Sequence, residues 1–434
     1  MAKINTWHSS SPSMALKLIS TLTLLVLASF LYKVWDKTKV PEDIPLEDVS
    51  KVKTIEFACR GLYTLEKLMS HLNLDTHAIG RPIMSFMIDF VQGQTWPFAQ
   101  HINKTVMVQS RHLGGVPVLH FKYNEEKEKK SKLQGVIIYF HGGGGEWLTA
   151  AYPQPTLRRL TESLRIPSVS VEYRLAPEHP YPAALADCLK VTNYILKNHK
   201  ELAVDPNKVI VAGDSIGGNL AAAVALKLKK KIRLQVLIYP ILQVFDFLTP
   251  SHRENAATLK YTLHPEFLSK CVTNYGGLSP DAHALILENK HISEDTRSKY
   301  SSYVHSDLMK GMNITQLSSL PHLSMGYSTD IKLVEEIEQR ALDPFFAPLM
   351  ADTLDNVTDA YIITGQHDTL RDDGIFYCRR LNQAVDVKCE LRNYMEGFHA
   401  FMHFVEGPLQ LNSAEQALND LIEFIDENVM KNKN

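Results

Sequence analysis

Short apolar segments alternate with helical segments along most of this 434-residue chain. Their apolar residues run on without polar alternation, which is typical of strands buried on both faces of a parallel sheet. Six such segments are GVIIYF (135–140), PSVSVEY (167–173), KVIVAG (208–213), RLQVLIYP (233–240), DAYIITG (359–365) and VKCELRNY (387–394). This order of elements predicts an α/β fold, with a mostly parallel central sheet and helices on both of its faces.

Other segments depart from this alternation and suggest domain boundaries. TVMVQS (105–110) and VPVLHFKY (116–123), joined by a glycine turn, predict an antiparallel hairpin at the start of a domain over residues 105–434. Residues 241–342 lack the strand rhythm, and we interpret them as a helical insertion over the carboxyl edge of the sheet. Residues 37–104 read as a charged, proline-containing tether (37–50) followed by helices.

A serine lies where a predicted strand meets a predicted helix. The segment GDSIGG (213–218) follows KVIVA and opens NLAAAVALKLKK. A nucleophile elbow requires this setting, because the strained turn lifts the serine above the sheet edge and glycines avoid clashes. We therefore predict Ser215 as a nucleophile and interpret Asp214 as structural. The alternative is a tight glycine turn without chemistry.

A glycine run directly follows the predicted strand GVIIYF. Acyl transfer creates an oxyanion that needs N–H donors at about 2.7–3.1 Å, and only glycine lets the main chain approach so freely. A phosphate-binding loop is an alternative, although no Gly-Lys-Ser/Thr ending follows, and a merely flexible loop is another. We predict an oxyanion hole formed by His141, Gly142, Gly143, Gly144 and the N–H of Ile216.

A carboxylate and a histidine follow two late strands. Asp368 comes after DAYIIT, and His399 comes after the last strand, so the order is serine, acid, histidine. We expect His399 to take the Ser215 proton, while Asp368 fixes the histidine tautomer. Asp372 and Asp373 compete with Asp368, but they lie at a helix start where acidic residues are common anyway.

His403 lies four residues after His399, a spacing that could place both rings on one metal ion. No His-Glu-x-x-His segment or cysteine cluster accompanies the pair, so we predict no metal site. No cofactor is expected either, because serine, histidine and oxyanion donors supply the groups that acyl transfer needs.

Several segments together resemble one known group of enzymes. They are HGGG (141–144), EYRLAPE (172–178) with Pro182-Ala183, GDSIGG (213–218), DTLRDDG (368–374) and GFH (397–399). The combination is similar to the hormone-sensitive-lipase group of α/β-hydrolases, the GDXG lipolytic enzymes, and most to the arylacetamide deacetylase-like proteins.

The resemblance implies an α/β-hydrolase fold and a serine hydrolase acting on carboxylic esters or acyl amides, including lipid-like ones. It assigns the triad to Ser215, Asp368 and His399. It also implies a cap built from the N-terminal helices and the insertion.

The chain departs from that family in three places. Gly145, followed by Glu146, replaces an aromatic residue, so we expect open space beyond the oxyanion loop. The family's cysteine pair, near Glu146 and at Gly365, is missing. Ile216 replaces the usual alanine, and its stiff β-branched side chain is expected to narrow the acyl site.

The N-terminus carries the apolar segment LISTLTLLVLASFLY (18–32), within a longest reading of Met14 to Trp35. About 20 residues span a bilayer, so residues 1–36 predict a signal anchor. A cleaved signal peptide is the alternative, which would give a secreted protein, and a buried soluble helix is a third. Sequons at Asn103, Asn313 and Asn356 favour a translocated, glycosylated body. With the resemblance, this predicts a single-pass type II protein of the endoplasmic reticulum membrane with a lumenal catalytic domain.

The charge balance narrows the choice of partners. Lys and Arg total 46 against 48 Asp and Glu, a net charge of −2, which argues against nucleic acid. The expected partners are a small-molecule or lipid-like ester or amide and, through the N-terminal segment, a membrane. An acyltransferase would use the same acyl-enzyme. A non-catalytic ligand-binding or membrane protein on this fold remains an alternative, but it would not need the complete set of serine, acid and histidine.

Overall fold

A computed structural model describes residues 29, 32–92, 105–124, 133–255, 259, 261–304 and 326–431. These residues form an eight-stranded sheet in the order β1-β2-β4-β3-β5-β6-β7-β8. The strands are β1 (Val106–Leu113), β2 (Val116–Tyr123), β3 (Gln134–Phe140), β4 (Ser168–Val171), β5 (Val204–Asp214), β6 (Leu234–Ile238), β7 (Ala360–His367) and β8 (Cys389–Phe398). The hairpin β1–β2 is antiparallel, as is β2 to β4, and the remaining pairs are parallel. The predicted α/β fold is confirmed.

Burial explains why the apolar segments form central strands. Every residue of β6 is buried, and so is all of β3 after Gln134. Strand β8 is different, because it lies at the sheet edge and is only partly buried. The interpretation of 387–394 as a strand buried on both faces is therefore wrong in that detail, although the strand itself forms.

Helices cover both faces of the sheet and extend beyond its edge. They are α1 (Leu46–His71), α2 (Thr76–Val91), α3 (Gln154–Leu164), α4 (Ala183–Lys197), α5 (Ile216–Leu228), α6 (Pro250–Asn255), α7 (Pro265–Gly276), α8 (Ala282–Leu287), α9 (Glu294–Tyr300), α10 (Ile331–Ala341), α11 (Arg371–Gln383) and α12 (Asn412–Ile425). One core packs α4, α5 and α11 against the sheet. The second core packs α1, α3 and α12 against the sheet. Helix α5 is buried from Ile216 to Ala225, which its glycines and alanines make possible.

The N-terminal helices and the insertion contribute the elements beside the sheet edge. Helices α6 to α10 lie between β6 and β7, inside the predicted insertion at 241–342. Part of the expected tether is packed rather than free, since Ile44 is buried in the same core as Val52 and Ile55. Helix α1 begins at Leu46, inside the expected tether, and buries Val52 and Ile55 in that core.

Two sequence predictions fall largely outside the described residues. The apolar segment 18–32 is one of them, and the sequons at Asn103 and Asn313 are the other. Within the described ranges, no helix has both the length and the apolar character needed to cross a bilayer. Asn356, the remaining sequon residue, is described; it is exposed and has a left-handed φ of +57°.

A disulfide joins Cys378 of α11 to Cys389 of β8, with Cα atoms 5.4 Å apart. Cys59, Cys188 and Cys271 are free. The sequence did not indicate this pairing, because the two cysteines belong to a helix and a strand whose packing the spacing alone does not reveal.

Candidate active site

Ser215 occupies the sharp turn between β5 and α5. Its φ of +56° with ψ of −120° is uncommon for a residue with a side chain, and its N–H donates to the carbonyl of Ile238 (2.9 Å). Gly217 has no room for a side chain, because a Cβ there would collide with the carbonyl oxygen of Phe140. Because Gly217 has no side chain, helix α5 can pack directly against the end of β3.

The structure brings the predicted acid and histidine to this serine. His399, which follows β8, places Nε2 3.1 Å from Ser215 Oγ. Its Nδ1 lies 2.9 Å from Oδ2 of Asp368, which follows β7 and is fully buried. The other carboxylate oxygen of Asp368 accepts the N–H of Leu370 (2.8 Å). These three side chains form a continuous hydrogen-bonded series from acid to hydroxyl.

The competing acids Asp372 and Asp373 point elsewhere. Asp372 accepts the N–H of Ser251 (2.7 Å), and Asp373 accepts that of Leu242 (2.9 Å). Burial raises the pKa of Asp373 to about 7, although hydrogen bonds from Gln243 and two backbone N–H groups act in the opposite direction. Both acids anchor the chain that leaves β6, and neither contacts His399.

The glycine run forms a tight loop beside Ser215. Gly143, Gly144 and Gly145 have φ values of +99°, +65° and +78°, which only glycine adopts readily. Within the described residues, no acceptor takes the N–H of Gly143, Gly144 or Ile216. Gly143, Gly144 and Ile216 line the same cavity as Ser215, so their N–H groups are candidates for oxyanion donors.

Two residues expected in the oxyanion hole have other contacts. The N–H of Gly142 donates to Oδ1 of Asp214 (3.0 Å), so that donor is already occupied. The buried ring of His141 stacks on Tyr173, and its Nδ1 lies 2.9 Å from the carbonyl of Gly142. Burial lowers the pKa of His141, which favours the neutral ring. The side chain of His141 and the N–H of Gly142 therefore brace the loop.

Asp214 and His403 form a second buried pair beside the nucleophile. His403 Nε2 lies 2.9 Å from Asp214 Oδ2, while Tyr139 and Gly142 donate to Oδ1. Burial alone would raise the pKa of Asp214, but the charge and hydrogen bond of His403, together with the hydrogen bond of Tyr139, lower that pKa below its usual value. These contacts fit the interpretation of Asp214 as a structural residue. The pairing with His403 was missed, and the only signal for it was the spacing of His403 from His399.

In the part of the chain that the structure describes, no group of three or more candidate metal ligands is found. His403 faces Asp214, whereas His399 faces Asp368 and Ser215. The two histidines therefore serve different carboxylates.

A cavity of about 250 Å³ opens onto Ser215 and His399, and its walls are mainly apolar. Helices α1, α2 and α7 contribute many of its lining residues. Its apolar lining includes Leu62, Met69, Ile83, Met84, Ile88, Trp147, Phe267 and Leu268. The shape and chemistry fit an apolar ligand whose reactive group reaches the serine.

The two expected changes in pocket shape have different outcomes. Ile216 lines the cavity beside Ser215, as expected. The expectation that Gly145 opens space is wrong, because a Cβ at Gly145 would lie only 2.6 Å from the ring of Tyr275. An aromatic side chain from α7 therefore fills the position, and Trp147 supplies the aromatic wall nearby.

Comparisons with known proteins give a consistent result. A family model described as an alpha/beta hydrolase fold matches residues 137–296 and 319–403. Neutral cholesterol ester hydrolase 1 of Pongo abelii is 31% identical over 90% of this chain and 95% of that protein. Arylacetamide deacetylase of Bos taurus is 33% identical over 83% of this chain and 91% of its own. The solved structure of a hyperthermophilic esterase from the archaeon Pyrobaculum calidifontis superimposes with a TM-score of 0.57 at 24% identity, covering 84% of this chain and 97% of that one.

Proposed function

Since this chain belongs to the α/β-hydrolase family and is a serine hydrolase of carboxylic esters or amides, we propose that Ser215, His399 and Asp368 are its catalytic triad. One observation carries the assignment: Ser215 Oγ lies 3.1 Å from His399 Nε2, and His399 Nδ1 lies 2.9 Å from Asp368 Oδ2. A nucleophile, a base and a group that orients the base need this arrangement.

Acylation follows from these contacts. Ser215 Oγ attacks the carbonyl carbon of the substrate while His399 Nε2 takes the hydroxyl proton. The carbonyl oxygen becomes an oxyanion, which the free N–H groups of Gly143, Gly144 and Ile216 stabilise. The imidazolium then gives its proton to the leaving alcohol or amine. The bond between the carbonyl carbon and the leaving oxygen or nitrogen breaks, and the acyl group remains on Ser215.

Deacylation repeats the steps with water as the nucleophile. His399 takes a proton from water, the hydroxide oxygen attacks the acyl carbon, and the proton returns to Ser215 Oγ as the ester bond breaks. Asp368 keeps Nδ1 of His399 protonated and stabilises the imidazolium in both halves. Serine, histidine, oxyanion donors and water supply every group that these steps require.

We propose that the substrate carries a lipid-like or other apolar group. The walls of the cavity are mainly apolar, and each buried CH₂ of a ligand contributes about 0.8 kcal/mol there. Two relatives are named for a cholesterol ester and an arylacetamide, both of which have a large apolar part. A longer acyl chain or a larger apolar alcohol should therefore lower KM until the cavity is full.

We further propose that residues 1–36 anchor the protein in the endoplasmic reticulum membrane as a single-pass type II protein, with the catalytic domain in the lumen. The disulfide between Cys378 and Cys389 supports an oxidising compartment, since such bonds are rare in the cytosol. Secretion after cleavage of a signal peptide is the alternative. Resistance to carbonate extraction is expected for the anchored form, and release into the medium would indicate cleavage.

Glycosylation at Asn103, Asn313 and Asn356 belongs to the same proposal. Asn356 is exposed, but Thr358 of its sequon is buried, and its hydroxyl group lies within hydrogen-bonding distance of two backbone carbonyl oxygens. Transfer to Asn356 would therefore have to precede folding of this segment. The expected result is a loss of mass on endoglycosidase treatment, which the change of all three asparagines to glutamine abolishes.

The catalytic assignment can be tested with an active-site probe. Wild-type protein should react with a fluorophosphonate and hydrolyse a short p-nitrophenyl ester. Folded Ser215→Ala should do neither, with a loss of about 10³-fold or more in rate. Equal labelling or equal hydrolysis by the two proteins would refute the role of Ser215.

A further inference from the structure

Glu146, the residue directly after the glycine run, joins three parts of the molecule. Its side chain is nearly fully buried, and its Oε2 lies 2.6 Å from His77 Nε2 of α2. The same oxygen accepts the side-chain N–H of Asn274 from α7 (3.0 Å). Its backbone carbonyl accepts Nε of Arg81 (2.7 Å). The end of the glycine loop is thus fixed to an N-terminal helix and to a helix of the insertion.

Helix α2 makes further contacts around this residue. The ring of His77 stacks on Trp147 with centroids 4.8 Å apart. Gly80 packs against the same indole so closely that a Cβ there would lie 2.9 Å from it. Arg81 donates to both carboxylate oxygens of Glu178 at 2.8 Å and to the carbonyl of Ala176. Because the N–H of Ala176 donates to the Gly145 carbonyl, α2 holds the loop from two sides.

Helix α7 also packs against the glycine loop. A Cβ on Gly144 would lie 2.5 Å from the Sγ of Cys271, one turn before Tyr275, which covers Gly145. Burial raises the pKa of the Cys271 thiol well above its usual value, and the Glu146 carboxylate adds to the shift. The thiol therefore stays neutral and serves as a packing surface for the loop.

The glycine loop needs such external restraints. Consecutive glycines lose more conformational freedom on ordering than any other residues, and they have no side chains to hold their own conformation. Oxyanion donors act only when they are already placed at about 2.7–3.1 Å from the developing charge. Asp214 holds Gly142 at one end of the loop, and the contacts of Glu146 with His77 and Asn274 hold the other end.

We propose that Glu146 is a positioning residue, through which helices α2 and α7 hold the N–H groups of Gly143 and Gly144 in the geometry that stabilises the oxyanion. This inference rests on the proposed acyl-transfer function. Glu146 acts through the loop backbone and does not contact Ser215. Its consequence is that turnover depends on α2, which precedes the predicted catalytic domain in the chain.

The test compares Glu146→Ala, Glu146→Gln and His77→Ala with a matched control. Lys67→Ala is that control, because it removes an ion pair between α1 and Glu266 of α7 (2.8 Å) without touching the loop. Each variant is assayed for kcat and KM on a p-nitrophenyl ester. Its affinity for a trifluoromethyl ketone is also measured, since the tetrahedral adduct of that inhibitor carries the oxyanion.

Glu146→Ala should lower kcat about 10- to 100-fold, somewhat less than the 10²–10³-fold that outright loss of an oxyanion donor costs. KM should stay within about threefold, whereas affinity for the ketone should fall in parallel with kcat/KM. Glu146→Gln keeps one side-chain oxygen, which can accept from both His77 and Asn274, and should retain most of kcat. His77→Ala should lower kcat in the same way, and its effect should not add to that of Glu146→Ala. Lys67→Ala should match wild type.

Unchanged kcat in folded Glu146→Ala, or a rise in KM alone, would overturn the inference. If Glu146→Ala fails to fold, His77→Ala decides, and wild-type kcat in that variant would likewise overturn it. The outcome is distinguishable from failure of the proposed function. Wild-type protein without Ser215-dependent hydrolysis would remove the function and this inference with it, whereas an active wild type with unaffected variants removes the inference alone.

Discussion

Replacing Asp368 by asparagine is expected to remove most activity by forcing the wrong tautomer on His399. Oδ1 of Asp368 accepts the N–H of Leu370 (2.8 Å), and Oδ2 faces Nδ1 of His399 (2.9 Å). In Asp368→Asn, the amide oxygen must stay on Leu370, so the amide NH₂ faces His399. Nδ1 then has to accept a hydrogen bond, Nε2 carries the proton, and the base can no longer take the proton of Ser215.

The structure also determines how large the loss of kcat in Asp368→Asn should be. The opposite amide orientation would set the NH₂ against the N–H of Leu370, in a fully buried site. Each buried donor left without an acceptor costs about 1–3 kcal/mol. The flipped amide is therefore disfavoured and does not restore the native tautomer of His399. A triad with the wrong tautomer loses about 10⁴-fold in kcat, which is about 5.4 kcal/mol in the barrier.

The assay is kcat on a p-nitrophenyl ester, measured on folded protein. Asp372→Asn and Asp373→Asn are the matched controls, since both acids are buried on the same segment but bond to backbone N–H groups away from His399. They should cost at most about tenfold, through small shifts of the packing. A larger loss in either control than in Asp368→Asn would refute the reasoning, as would retention of most activity in Asp368→Asn.

Two further changes test the surroundings of the nucleophile. Ile216→Ala should raise kcat/KM for bulkier acyl groups relative to acetyl. The change should lie within the roughly 1–3 kcal/mol that one methylene in a pocket contributes. Equal kcat/KM across acyl lengths in both proteins would contradict this. His403→Ala should lower the free energy of unfolding in urea by about 1.5–3 kcal/mol, because it leaves the buried Asp214 carboxylate without the hydrogen bond of His403. The lowered pKa of Asp214 means that its contribution is present above its unfolded pKa of about 3.9 and is lost only as the pH falls through the lower folded value. Equal stability of wild type and His403→Ala near neutral pH would show that the pair is not needed.

The sequence could predict the fold and the meeting of Ser215, Asp368 and His399 because both depend on local patterns. Apolar strands without alternation predicted a parallel sheet, and the carboxyl ends of parallel strands lie at one edge. Ser215, Asp368 and His399 each follow a strand, β5, β7 and β8, in the half of the sheet that runs β5-β6-β7-β8. The structure brings their side chains within hydrogen-bonding distance there.

The remaining features depend on contacts that no local pattern encodes. Glu146 meets His77 across 69 residues of sequence, and Asp214 meets His403 across 189. The use of the Gly142 N–H by Asp214, and the filling of the space beside Gly145 by Tyr275, likewise follow from tertiary packing. A glycine run thus predicts available donors, but the neighbours decide which N–H groups stay free and what holds them.

Direct detection of an acyl-enzyme is the measurement closest to the central claim. Wild-type protein mixed with p-nitrophenyl acetate and quenched in acid within one turnover should carry a single acetyl group on the peptide that contains Ser215. Asp368→Asn should accumulate that adduct far more slowly, and Ser215→Ala should carry none. Hydrolysis by the wild-type protein with no acetyl group on that peptide, or with the group on another residue, would contradict the account.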